Sequence, residues 1–178
     1  MSISEIMFAP YSNYVSSFYQ FVMANTYSKI YQHVVFAVKY RQALITEKLE
    51  GPLYEYMSGI VTNQGQKLLI GNGHTDHVHL LMTCKPTCKL DDVVKEVKEH
   101  SSKFINQNGL VRGKFQWQNG YGVFSVGHQN LDMIFNYIRK QKEHHTKVKF
   151  RDEYIQLLKD AEVEYNEKYI FGEPVDFG

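Results

Sequence analysis

Two imidazoles stand one residue apart in Asp76-His77-Val78-His79-Leu80-Leu81-Met82. Side chains on a strand alternate between faces, so His77 and His79 share one face with Leu81 beyond them, while Val78, Leu80 and Met82 turn into a core. Two neutral imidazoles roughly 6–7 Å apart on a rigid strand can converge on one metal ion. The same pattern also occurs as two half-exposed side chains that bind nothing, and the motif alone does not separate the readings. Far downstream, Tyr137 and Gln141 lie four residues apart in a stretch with helical spacing, which sets a phenol beside an amide. Two histidines leave a metal under-coordinated, and Gln141 could supply an oxygen ligand. A phenol beside such an ion is a candidate nucleophile: with a free pKa near 10 it needs a base, a cation or a polarised electrophile, and a divalent ion gripping a phosphate oxygen provides the last. Tyr137 also fits the blander role of one among thirteen tyrosines, packed at the margin of an apolar helix face.

The elements that must position these groups read as follows. Ile30 to Val38 is an aromatic and β-branched run closed by Lys39-Tyr40-Arg41, which predicts a buried strand with a charged exit. Leu49, Leu53, Tyr56, Met57, Ile60 and Val61 keep helical spacing behind Thr46, a plausible N-cap, and the helix ends near Asn63. Lys67 to Gly73 is a second strand, joined to the histidine strand as a hairpin. Leu90, Val93, Val94, Val97, Ser101, Phe104 and Ile105 mark a second helix that stops at Asn108-Gly109. The lysines on it fit a solvated face or phosphate contacts. Lys114 to Gly127 reads as aromatic strands broken at Asn119-Gly120. The order is βαββαβ, the ferredoxin-like or RRM-like α+β arrangement: an antiparallel sheet with two helices on one face and the other face free. A helix over Leu131 to Thr146 follows, facing the sheet with Leu131, Ile134, Phe135 and Ile138. Another runs from about Arg151 to Glu162, and the tail from Tyr165 is expected to be weakly structured.

Length and composition bound the class. A chain of 178 residues holds one domain, and 43% hydrophobic with 22% charged residues is ordinary for a globular protein. Lys plus Arg and Asp plus Glu, 20 and 19, nearly cancel, so nucleic-acid binding must come from local patches. No apolar run is long enough to span a membrane. Cys84 and Cys88 read as free thiols of a reducing cytosol, the expected location. Residues 1–22, without Lys or Arg, make a poor secretory signal and are expected to be an N-terminal extension to a single domain over 23–178.

Several motifs together carry a resemblance. His77-Val78-His79, with Asp76 before and Leu80-Leu81 after, is similar to a His-hydrophobe-His (HUH) motif, and Tyr137-Ile138-Arg139-Lys140-Gln141 followed by Glu143-His144-His145 is similar to the tyrosine helix that goes with it. Val35-Phe36 with Lys39-Tyr40-Arg41, and Phe115 to Val126, fit the same pattern. From about Tyr27 to Phe171 the chain resembles the single-tyrosine HUH transposases of the TnpA type, found in the smallest bacterial and archaeal insertion sequences. The resemblance implies a homodimer that cleaves and rejoins single-stranded DNA with hairpin ends, using Mg²⁺ or Mn²⁺. It implies His77, His79 and Gln141 as metal ligands and Tyr137 as the nucleophile, leaving a 5′-phosphotyrosine and a free 3′-hydroxyl. Members typically pair the histidine strand of one subunit with the tyrosine helix of the other. Zinc is disfavoured because no thiolate or third imidazole is evident nearby. Lys39, Arg41, Lys98, Lys103, Arg112, Lys114, Arg139 and Lys140 are the candidate DNA contacts. Two other readings remain: a domesticated HUH endonuclease of repeated palindromes or a replication initiator or relaxase, and a non-catalytic RRM-like module that stacks bases on its open sheet.

Overall fold

The computed structural model describes residues 27–171. Residues 1–22, expected to be an extension, lie outside them. Four strands form one antiparallel sheet: β1 (Ile30–Ala37), β2 (Lys67–His74), β3 (His77–Cys84) and β4 (Gly122–Val126), in the spatial order β2-β3-β1-β4. Between them run α1 (Glu47–Asn63) and α2 (Leu90–Gln107); α3 (Leu131–Arg139), the single turn α4 (Gln141–His144) and α5 (Phe150–Asp160) follow. The expected βαββαβ order and the β2–β3 hairpin are present.

Strand alternation gives the sheet two different faces. Val34, Phe36 and Val38 of the first strand region join Val78, Leu80 and Met82 of β3 in the main core, against Leu49, Leu53, Met57 and Val61 of α1 and Val93, Val94, Val97 and Ile105 of α2. Burying these aliphatic side chains contributes about 1.5–3 kcal/mol each, which makes this layer the main stabilising one. The residues in between, Tyr31, His33, Val35 and Ala37 on β1 and His77, His79 and Leu81 on β3, face the other way.

That second face is not free as expected. Ile138 packs with Tyr31, Leu81 and Val126, flanked by Leu131, Ile134 and Phe135, so the apolar stripe of α3 does meet the sheet. Beside it Phe150, Tyr154 and Leu158 of α5 cover Val35, Ala37 and Phe124. The tail is better anchored than expected: Phe171 is buried, its ring 4.7 Å from that of Tyr154 and 5.4 Å from that of Phe150.

Three local expectations need correction. The helix predicted over Leu131 to Thr146 breaks at Lys140, where ψ is 18°, because the Asn72 side chain on β2 donates to the carbonyls of Ile138 (2.9 Å) and Arg139 (3.0 Å) and caps α3 there. Phe115-Gln116-Trp117 is not a strand but a single bridge, Val38 to Trp117, since Asn119 and Gly120 turn the chain before β4 begins; Gly120 has φ +80°. Thr46 sits at the N-cap of α1 with an extended backbone but makes no side-chain capping bond. At the hairpin, Gly73 pairs with Val78, and a Cβ there would stand 2.2 Å from the carbonyl oxygen of His77, so only glycine lets β2 approach the histidine strand this closely.

Candidate metal and tyrosine centre

β3 delivers His77 and His79 to the same face, and α3 and α5 bury both completely. Each ring is oriented from behind. His77 donates from Nδ1 to Oδ1 of Asp76 at 2.7 Å, which leaves Nε2 pointing into the centre. Asp76 in turn accepts from Nε of Arg41 at 2.8 Å, and the Arg41 guanidinium lies 4.6 Å from the centre of the Phe150 ring. His79 meets Nε2 of His33 through its own Nδ1 at 2.9 Å, so its Nε2 also faces inward. Burial depresses the imidazoles of His77, to about 4, and His33, to about 3; Asp76 opposes the shift at His77, and the nearby His79 adds to it at His33. Both are therefore neutral at pH 7, the state a metal ligand needs. Burial alone would raise the Asp76 carboxyl, but His77 and Arg41 outweigh it and hold it below its usual range.

The residue that joins the two halves of the centre is Glu153, in the first turn of α5, buried at 4% exposure. Its Oε1 accepts from the hydroxyl of Tyr137 and, at 2.9 Å, from Nε2 of Gln141. Its Oε2 lies 3.0 Å from Nε2 of His145, 3.6 Å from that of His79 and 3.9 Å from that of His77. His145 is oriented too, its Nδ1 donating to the Val148 carbonyl at 2.8 Å. Burial would raise the Glu153 carboxyl, yet the His145 and His79 imidazoles that face it outweigh burial and hold it far below the ordinary glutamate value. The Tyr137 hydroxyl moves the other way, above its usual value, through burial and then the Glu153 charge.

The metal-ligating atoms of His77, His79, His145 and Glu153 all lie within 4.8 Å of one another. Nε2 of His77 and His79, Oε2 of Glu153 and Oε1 of Gln141 are buried without a hydrogen-bond partner. His145 Nε2 is among those orphans although it stands at ion-pair distance from Glu153. With the His145 proton on Nδ1, engaged by the Val148 carbonyl, Nε2 points a lone pair at the carboxylate, and a cation between them satisfies both. Orphaned buried polar atoms cost about 1–3 kcal/mol each, so their convergence fits a divalent ion.

Of the expected site residues, His77, His79, Tyr137 and Gln141 come together in one chain, the tyrosine helix lying over its own histidine strand. Gln141 joins through Glu153. The expectation that no third imidazole is near is wrong: His145 occupies that place. Glu153 carried no sequence signal, being one acidic residue among several in an amphipathic helix, whereas His145 belonged to a quoted motif and gained meaning only when Val148 turned its ring inward.

The expected DNA contacts divide into four groups. Arg41 is not a surface contact: it is buried at 8% exposure and committed to Asp76. Lys98, Lys103 and Lys114 line a groove of about 630 Å³ with Trp117 and Tyr121. Lys98 spends its ammonium on the carbonyls of Gln118 (2.8 Å) and Gly120 (2.6 Å), and burial lowers it to about 8; Lys103 pairs with Glu99. Lys39 reaches Gln116 at 3.3 Å. Arg112, Arg139 and Lys140 are exposed, and Lys140 shares a cavity of about 430 Å³ with Tyr137 and His144. No helix among the described residues is long and apolar enough to cross a membrane.

Comparison with known proteins agrees with this geometry. The sequence profile of the family described as "Transposase IS200 like" matches residues 26–141. The ISDra2 transposase TnpA of Deinococcus radiodurans is 26% identical over 116 residues, which span 62% of this chain and 83% of that protein. The transposase of insertion element IS200 from Salmonella typhimurium is 26% identical over 126 residues, 68% of this chain and 82% of its own. Among solved structures, a candidate transposase of Deinococcus radiodurans R1 superposes with a TM-score of 0.53 at 25% identity, covering 66% of this chain and 94% of that one. A REP-associated tyrosine transposase bound to a REP hairpin has the same fold, with a TM-score of 0.53 at 16% identity over 86% of this chain and 92% of its own. With the matched profile spanning the sheet, both core helices and the tyrosine helix, the chain belongs to the IS200-like transposase family.

Proposed function

We propose that this transposase cuts and rejoins single-stranded DNA through Tyr137, with His77, His79 and Gln141 serving a divalent ion, Mg²⁺ or Mn²⁺. The observation that carries the reading is the meeting of the Tyr137 hydroxyl with the buried carboxylate that also faces the inward nitrogens of the histidine strand. When bound, the ion supplies Lewis-acid polarisation of a phosphate oxygen. The chain's own residues do the rest. Glu153 and Gln141 fix the phenol, Asp76 and His33 fix the imidazoles, and α3 and α5 shield the centre from water. The Tyr137 oxygen bonds to phosphorus as the bond to the 3′-oxygen breaks, and the phenolic proton ends on that oxygen. A 5′-phosphotyrosine and a 3′-hydroxyl result, and a second 3′-hydroxyl reverses the step without any external energy source.

The DNA partner we propose carries hairpin ends, as the relative solved with a REP hairpin does. Lys39, Arg112, Lys114, Arg139 and Lys140 are the proposed backbone contacts. A homodimer in the cytoplasm is part of the same reading, supported by the open edges of β2 and β4. The stacking-module alternative loses its platform, because α3 and α5 cover the face on which bases would lie. The test is a denaturing gel of the protein with labelled single-stranded DNA from the flanks of its gene. A covalent adduct in Mn²⁺ or Mg²⁺ is expected; cleavage restricted to duplex DNA defeats the proposal.

A further inference from the structure

We propose that His145 and Glu153 are ligands alongside His77 and His79, so that three imidazoles and one carboxylate form a centre selecting a first-row transition-metal dication over Mg²⁺. The inference rests on the reading that the histidine strand holds the catalytic ion, and it changes the ligand set and the ion. Both added residues come from beyond residue 141, where the family profile ends.

Three observations point the same way. Each of the three rings has its Nδ1 engaged, by Asp76, His33 and the Val148 carbonyl respectively, and each turns Nε2 inward without a hydrogen-bond partner. Second, Oε2 of Glu153 stands 3.9, 3.6 and 3.0 Å from those nitrogens. Two ligand atoms each about 2.1 Å from a common ion stand roughly 3.0–4.2 Å apart, so all three separations suit a shared ion. The widest separation in the set, within 4.8 Å, needs to close by only about half an ångström to reach that window. Third, Gln141 directs its amide nitrogen at Glu153, which makes it a brace for the carboxylate.

The donor set decides the ion. Mg²⁺ asks for oxygen ligands in an octahedron and keeps its waters, and three buried imidazoles offer it little. Imidazole nitrogen favours the first-row transition metals, with affinity in a site of fixed ligands rising from Mn²⁺ to a maximum at Cu²⁺ and Zn²⁺ still above Mn²⁺. His145 removes the ground on which zinc was disfavoured from sequence.

The experiment uses the full chain, stripped with a chelator and without DNA. Isothermal titration should give one site, Zn²⁺ tighter than Mn²⁺ and Mg²⁺ weaker than Mn²⁺ by roughly a hundred-fold or more, beyond the range a lost second-shell partner produces. Pulsed electron paramagnetic resonance of the Mn²⁺-loaded wild type should count three coupled imidazole nitrogens, and His145→Ala should count two. Glu153→Gln, which keeps shape and loses charge, should weaken Mn²⁺ by about a hundred-fold. Two nitrogens in the wild type, or Mg²⁺ bound as tightly as Mn²⁺, overturns the inference whether or not the variants fold. If the wild type binds metal as stated but forms no adduct with single-stranded DNA, the proposed function fails and this centre stands; adduct formation with a two-nitrogen wild-type site does the reverse.

Discussion

The Tyr137 hydroxyl donates its hydrogen bond to Glu153, a carboxylate 16 positions later on a different helix. That contact orients the nucleophile and, in the metal-free protein, opposes its ionisation, because burial and the negative charge both favour the neutral phenol. Glu153→Gln should therefore lower the tyrosine pKa. An ultraviolet tyrosinate titration, with Tyr137→Phe subtracted to isolate this residue, reads the shift; an unchanged midpoint would show that the carboxylate does not act on the phenol.

Tyr137→Phe should keep fold and single-stranded DNA binding, since the ring still packs, and should abolish the covalent adduct at any metal concentration. His79→Ala should also lose cleavage, but added Mn²⁺ should restore part of it because the other ligands remain. An adduct in the phenylalanine variant would move the nucleophile to another residue.

Arg41 and Lys140 should separate cleanly. Arg41→Met strands the buried Asp76 carboxylate and should cost about 3–5 kcal/mol in urea denaturation, with little effect on the salt dependence of DNA binding. Lys140→Ala should leave stability nearly unchanged and reduce the slope of log affinity against log salt by about 0.7. The opposite pattern would return Arg41 to the DNA surface.

Acid should destabilise the metal-free protein through its buried histidines. The folded-state values of His33 and His77, about 3 and about 4, lie below the ordinary value of 6.5. The unfolded chain thus binds more protons between those limits, and stability rises with pH there. The contribution is complete above about pH 6.5 and is lost as pH falls through 4 and then 3. Denaturation midpoints measured from pH 7 down to 4 should fall for the wild type and fall less steeply for His33→Phe.

A chain beginning at Met23 should fold and cleave like the full one, because all the groups of the centre lie between His33 and Glu153. Circular dichroism and the adduct assay check it, and loss of either gives residues 1–22 a role.

The histidine pair, the two core helices and the hairpin were legible because period and spacing are local properties. Val78, Leu80 and Met82 alternate with His77 and His79 in the sequence itself, and Leu53, Met57 and Val61 repeat at one helical face. What escaped was set by contacts between distant segments. Nothing near Lys140 announces a helix break, since the cause is Asn72 on β2. Arg41 looked like a surface cation because its partner is 35 positions away, beyond a helix and a strand. Glu153 resembled any solvated acid in a first helical turn until α5 packed it over the histidine strand.

Because β3 uses its even and odd residues for opposite purposes, the strand has almost no tolerance for insertion or deletion. A one-residue slip would carry Val78 and Leu80 into the polar centre and drive His77 and His79 into the aliphatic layer under α1 and α2. Folding and chemistry would be lost in the same event. Point substitutions can still tune such a segment, but length changes cannot accumulate in it. Lineages of this protein should therefore diversify by indels in the segments around 108–121 and beyond 160, while the eight residues from His77 to Cys84 keep their length.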